Sequence, residues 1–136
     1  SNYTDFGPTG SGQIVKMINQ IVVLNNYTIV AEALSFAEAW GIDAKKIPDA
    51  LRDGHAGSNL LKHLFPRMIN RDFKPQGYTS QILKDLTMVS ELGDKKNIPL
   101  PMTNLTKQLF TILSENSKEN LDGTSIIKLF KKDDKF

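Results

Sequence analysis

Lys16, Asn19 and Gln20 are the residues of this 136-residue chain whose types and spacing most readily do chemistry. On a helix, spacings of three and four put side chains on one face. An ammonium group and two amides therefore project together, with Gln13 a turn before and Ile14, Ile18, Ile21 and Val22 alongside. No Asp or Glu lies between Asp5 and Glu32, so Lys16 has no local carboxylate. Such a lysine can simply carry its charge to water on an apolar stem from the end of a core helix. It can also be tuned for proton transfer. Desolvation and a place near a helix N-terminus both disfavour the ammonium form and draw a lysine toward neutrality. Spacing alone leaves both readings open. A second pair, Lys84-Asp85, reads on its own as an ordinary exposed pair on a helix.

Several other chemistries have no residues to carry them. There are no cysteines, which excludes disulfides, thiolate metal sites and cysteine nucleophiles and fits a reducing, cytoplasmic setting. His55 and His63 are too few and too separated for zinc, so no metal is expected. Gly10-Ser11-Gly12-Gln13-Ile14-Val15 has Val where a dinucleotide fingerprint needs its third glycine, and no Gly-Lys-Ser/Thr follows for a P-loop. The Asn-x-Thr sequons at Asn2, Asn26 and Asn104 carry no weight without a secretory segment.

The formal charge of +2, from 17 basic and 15 acidic residues, is spread rather than striped and gives no nucleic-acid footprint. A chain 40% hydrophobic and 24% charged is ordinary for one soluble globular domain with its own core. Met17 to Ala31 is free of charge, but Asn19, Gln20, Asn25, Asn26 and Thr28 make it too polar and too short to span a membrane.

The elements that must position Lys16 follow from the apolar rhythm and its punctuation. One long helix is expected from about Ser11 to Trp40, stopped by Gly41 and apolar around most of its circumference. A second helix follows Asp43 as N-cap, with Pro48 delaying its start to about Ile47 and Gly54 ending it. A third runs from about Ser58 to Asn70, where Pro66 predicts a kink or break. A fourth runs from about Thr79 to Lys96 with Ile82, Leu83, Leu86, Val89 and Leu92 inward and Gly93 at its fraying end. A fifth, about Met102 to Asn116, buries Leu105, Leu109, Phe110, Ile112 and Leu113. A last short helix starts at Thr124 or Ser125, and the tail Lys131–Phe136 is expected to fray. No segment alternates strictly. The expected fold is all-α, a spine helix with about five shorter helices packed around it.

The string Gly7-x-x-Gly10-x-Gly12-x-x-x-Lys16-x-x-Asn19-Gln20 resembles the start of the C-terminal helical domain of the β-hydroxyacid dehydrogenases. That family includes 3-hydroxyisobutyrate dehydrogenases and tartronate semialdehyde (2-hydroxy-3-oxopropionate) reductases. The resemblance continues, in order, through Gly54-His55-Ala56-Gly57-Ser58 before Leu60-Leu61, Arg67-Met68-Ile69 before Phe73-Lys74-Pro75, and Lys84-Asp85-Leu86. It implies a fold like the C-terminal domain of 6-phosphogluconate dehydrogenase and hydride transfer between NAD or NADP and a small 3-hydroxy acid or its semialdehyde. It implies Lys16 as acid/base, Asn19 and, with less definition, Gln20 on the substrate, Lys84 beside the cofactor, and Asp85 fixing that lysine or the local backbone.

The resemblance implies further that an N-terminal Rossmann domain, absent from this chain, holds most of the dinucleotide. The chain opens without Met on a glycine loop and is expected to be a piece of a longer protein. This piece alone is expected to be inactive, and to form a homodimer or larger homo-oligomer. The other reading of the same fold is a non-catalytic helical interaction module. The chain departs from many relatives at Gly77, where they carry an aromatic residue, and at Gln81, where they carry an aliphatic one.

Overall fold

The computed structural model describes residue 5, residues 7–131 and residue 134. The spine helix, α1 (Ser11–Ala39), is present as expected. Its end is a Schellman cap. Gly41 adopts φ 70°, its N–H donates to the Glu38 carbonyl, and the Ile42 N–H donates to that of Ala37. A residue with a Cβ is disfavoured in that left-handed conformation, which is why a glycine ends the helix.

Asp43 caps a 3₁₀ turn at Ala44–Lys46, accepting from the Lys45 N–H, and α2 (Ile47–Leu51) begins where Pro48 allows. In α3 (Asn59–Ile69), Ser58 is the N-cap and its hydroxyl accepts from the Leu61 N–H. Of the kink or break expected at Pro66, the break does not occur: Pro66 stays inside a continuous α3. The ring removes the bond to the Lys62 carbonyl, and both residues are exposed, so water can satisfy that carbonyl.

The helix α4 (Thr79–Lys95) and the helix α5 (Pro101–Asn116), with proline in its first turn, complete the α-helices. The last helix is a 3₁₀ helix, Gly123–Leu129, capped by Asp122. Arg71 after α3 and Asn97 after α4 take the same left-handed cap position that Gly41 takes after α1, with φ 51° and 54°. The fold is all-helical among the described residues, with one isolated bridge between Tyr78 and Asp122.

The spine contacts α3, α4, α5 and the final 3₁₀ helix. Between them lie Leu34, Leu64, Phe65, Met68, Leu86, Phe110, Leu113, Ile126 and Ile127, all fully enclosed. Burial of this kind stabilises by roughly 1.5–3 kcal/mol per large side chain. Two expectations about faces are corrected. In α5, Leu105 and Ile112 are exposed, while Thr103 and Thr106 turn inward. The inward threonines answer a polar group on the spine: Asn25 Nδ2 donates to Thr103 Oγ1 at 3.1 Å, and Thr106 Oγ1 donates to Asn25 Oδ1 at 2.7 Å.

The spine is also not covered all round. Ile14, Ile18, Val22, Ile29, Phe36 and Trp40 remain exposed, Phe36 and Trp40 by 69% and 72%. At about 100° per residue these six fall within a quarter-turn stripe along α1. By length and composition alone α1 could cross a membrane. Its opposite side, through Leu24, Ala31 and Leu34, is the core of this domain.

Candidate active site

Lys16, Asn19 and Gln20 lie on the second and third turns of α1, and Lys84 and Asp85 lie in the first half of α4. Gln20 and Asp85 bring the two motifs together. Gln20 Nε2 donates to Asp85 Oδ2 at 2.8 Å, and Gln81 Nε2 donates to Asp85 Oδ1 at 3.1 Å. Asn19 Nδ2 in turn donates to Gln20 Oε1 at 3.3 Å. A line of side chains thus runs Gln81, Asp85, Gln20, Asn19 from α4 onto α1.

The expectation for Asp85 is corrected. It fixes neither Lys84 nor the local backbone; it is 8% exposed and its side-chain partners are the two glutamine amides. Successive helical residues point about 100° apart, so Lys84 and Asp85 cannot share a face. Asp85 belongs to the inward stripe with Ile82, Leu86 and Val89. The three-residue step from Ile82 was the sequence signal for it.

Lys16 and Lys84 are both exposed, and among the described residues neither makes an ion pair. Lys16 is the sixth residue of α1, beyond the first turn where a helix dipole acts. These helices therefore do not supply the desolvation expected around it. An apolar groove of about 290 Å³, lined by Ile14, Met17 and Ile18 of α1, Val89 and Leu92 of α4, and Leu100, lies round the helix from Lys16, on another face of α1. With Gln20 on Asp85 and the earlier turns of α1 level with Val89 and Leu92, the two helices run in opposite directions.

A third centre went unseen in the sequence. Asp122 is fully buried and takes Arg67 Nη1 at 3.1 Å together with the backbone N–H groups of Gln76, Gly77 and Thr124. Arg67 also reaches Asp72 and the carbonyls of Asp72 and Lys74. Burial pushes the Asp122 carboxyl up, but the N–H bonds from Gly77, Thr124 and Gln76 outweigh it and hold it below the usual carboxylate range. Asp72 is likewise lowered, first by the Lys74 N–H and then by Arg67. Tyr27 is raised by burial and by the charge of Asp122. The assembly ties α3 and the 3₁₀ helix to residues 72–77, from which α4 departs, and so sets where Lys84 and Asp85 stand. Its bonds span up to 55 positions, so nothing local in sequence announces it.

Gly123 packs there as well: a Cβ would lie 2.4 Å from Ile82 Cδ1 and 2.7 Å from the Tyr27 ring. Gly77 gives its N–H to Asp122 and its carbonyl to the Gly123 N–H, with the Tyr27 hydroxyl nearby. Its neighbour Tyr78 is half exposed at the start of α4.

Residues 10–130 match the family model described as "NAD-binding of NADP-dependent 3-hydroxyisobutyrate dehydrogenase". The chain belongs to this family. It is 35% identical over 126 residues to an uncharacterized oxidoreductase, YkwC, of Bacillus subtilis, covering 93% of this chain and 44% of that protein. It is 34% identical over 127 residues to the 2-hydroxy-3-oxopropionate reductase of Escherichia coli, again covering 93% and 44%. The crystal structure of a 3-hydroxyisobutyrate dehydrogenase from Salmonella typhimurium shares the fold, with a TM-score of 0.82 at 24% identity over 88% of this chain and 42% of that one. The chain thus spans under half the length of these relatives.

The residues present fit part of a dinucleotide site. Lys84 offers an exposed cation without a carboxylate partner among the described residues, suited to a phosphate or an electron-rich ring edge. A glycine-rich turn between strand and helix, which would hold a pyrophosphate, does not occur among the described residues.

Proposed function

We propose that this chain is the C-terminal catalytic and oligomerisation domain of an NAD(P)-dependent β-hydroxyacid dehydrogenase that interconverts a small 3-hydroxy acid and its semialdehyde. The observation that carries the reading is the Gln20–Asp85 bond, which joins the motif of Lys16 to the motif of Lys84 across two helices. Family membership and the name of the E. coli relative, 2-hydroxy-3-oxopropionate reductase, support the substrate class.

When bound, the nicotinamide supplies hydride chemistry. The residues of this chain handle the proton and the oxygen. Lys16 Nζ takes the hydroxyl proton when the alcohol is oxidised and returns it when the aldehyde is reduced. In its charged form it stabilises the developing alkoxide. Asn19, one turn on, orients the oxygen or the substrate carboxylate through its remaining N–H. Closure by the rest of the protein supplies the desolvation that α1 and α4 leave undone. Lys84 binds the cofactor.

The exposed stripe on α1 supports an oligomer, because six large apolar side chains in one line are costly to leave in water. An interaction module without catalysis would use the same stripe. The two readings part in an assay of the full-length protein with NAD⁺ or NADP⁺ and short 3-hydroxy acids, followed by nicotinamide absorbance. Turnover is expected with at least one pair. Its absence across the panel, from folded protein, would leave only the interaction module.

A further inference from the structure

We infer that Asp85 is a positioning residue that fixes the polarity of the Asn19–Gln20 amide pair. The inference rests on the reading of Lys16, Asn19 and Gln20 as the reacting end of a dehydrogenase site, and it gives Asp85 a role in orienting that end rather than in holding Lys84.

An ionised carboxylate only accepts hydrogen bonds. Asp85 Oδ2 at 2.8 Å therefore requires the NH₂ of Gln20 and refuses its carbonyl. A flipped amide would set two acceptor oxygens against each other with no proton between them. Gln20 Oε1 is thereby turned outward, where it accepts from Asn19 Nδ2 at 3.3 Å. The same logic then fixes Asn19, with its NH₂ toward Gln20 and its Oδ1 away. One buried carboxylate sets the order of donors and acceptors on two side chains.

Gln81 belongs to this arrangement. It lies one turn before Asp85 on α4, and its NH₂ engages the second carboxylate oxygen. Both oxygens are held, so Asp85 cannot rotate away from Gln20 without losing a bond. Bonds to a charged acceptor are roughly twice as strong as neutral ones, so the line of amides is ordered from its buried end. A helical side chain leans toward the helix N-terminus. Asn19 and Gln20 therefore lean toward the turn that carries Lys16 and present a set pattern beside the ammonium group.

The test is Asp85→Asn in the full-length protein. An amide at position 85 fills the same space but can meet Gln20 in either orientation, so order is lost while volume is kept. Loss of a bond to a charged group predicts kcat/KM for the hydroxy acid falling roughly ten- to a hundredfold, with dinucleotide KM changed less than about twofold. Gln81→Leu, which frees one oxygen only, gives a smaller loss in the same parameter. Side-chain amide NMR of this chain reads the orientation directly. The Asn19 and Gln20 NH₂ resonances shift in Asp85→Asn while core backbone resonances stay in place. Unmoved amide resonances would overturn the inference, as would a rise in dinucleotide KM with the hydroxy-acid parameters intact. If Lys16→Met left turnover unchanged, the underlying dehydrogenase site would fail instead, and the NMR result would still decide the orientation.

Discussion

Gln20 and Asp85, 65 positions apart, meet at 2.8 Å across α1 and α4. The bond sets the relation between the lysines, since Lys16 stands one turn before Gln20 and Lys84 stands beside Asp85. About four residues of helical rise, near 6 Å, separate the level of Lys16 from the bond.

The buried pair of Arg67 and Asp122 should matter more for stability than any surface charge in the chain. Asp122→Asn leaves Arg67 enclosed with a positive charge and no buried carboxylate, and removing one partner of such a pair costs about 3–5 kcal/mol. Urea unfolding should show a loss near 3 kcal/mol, the low end, because the amide oxygen still accepts from Gln76 and Gly77. A loss below about 1 kcal/mol would mean that the centre is solvated in a way its geometry denies.

The same centre dictates how stability depends on pH. Asp122 and Asp72 are both held below the usual carboxylate range in the folded chain, so near pH 4 the unfolded chain binds more protons. Their contribution is complete above the unfolded value of about 3.9 and is lost as pH falls through the lowered folded values. Unfolding midpoints should be level between about pH 7 and 5.5 and fall below about 4, with Asp122→Asn flattening the acid limb. An unaltered acid limb in that variant would contradict the assignment.

The stripe on α1 predicts self-association. Sedimentation of this chain at micromolar concentration should give a dimer or larger, and Ile18→Glu with Phe36→Glu should give a monomer with an unchanged helical spectrum. A clean monomer from the unaltered chain would place the covering surface elsewhere in the full-length protein.

Much of the fold was legible because its determinants are local. Gly41 ends α1, Pro48 sets the start of α2, Ser58 caps α3, and the apolar rhythm of α4 stands almost as read. What escaped depends on distance. Arg71 and Asn97 serve as left-handed caps without being glycine, and Thr103 and Thr106 turn inward only because Asn25 waits on the spine. Asp122 follows a polar stretch and stands just before the apolar run it caps, with nothing local to mark its partner Arg67. The grouping of Lys16 with its amides was legible because they share one helix. Its support from Asp85 was not, because that contact belongs to the packing of α1 on α4.

The central claim is that Lys16 moves the proton. Lys16→Met keeps the length and the apolar stem, so α1 and its packing survive, while the donor and the charge at the reacting oxygen disappear. In the full-length protein, steady-state kinetics of Lys16→Met should show kcat reduced by about a hundred- to ten-thousandfold with dinucleotide affinity nearly unchanged. Lys84→Met should do the reverse, weakening dinucleotide binding more than bound-state turnover. If Lys16→Met kept more than about a tenth of the original kcat, the acid/base assignment would be contradicted, and Lys16 would be a surface lysine at the end of a core helix.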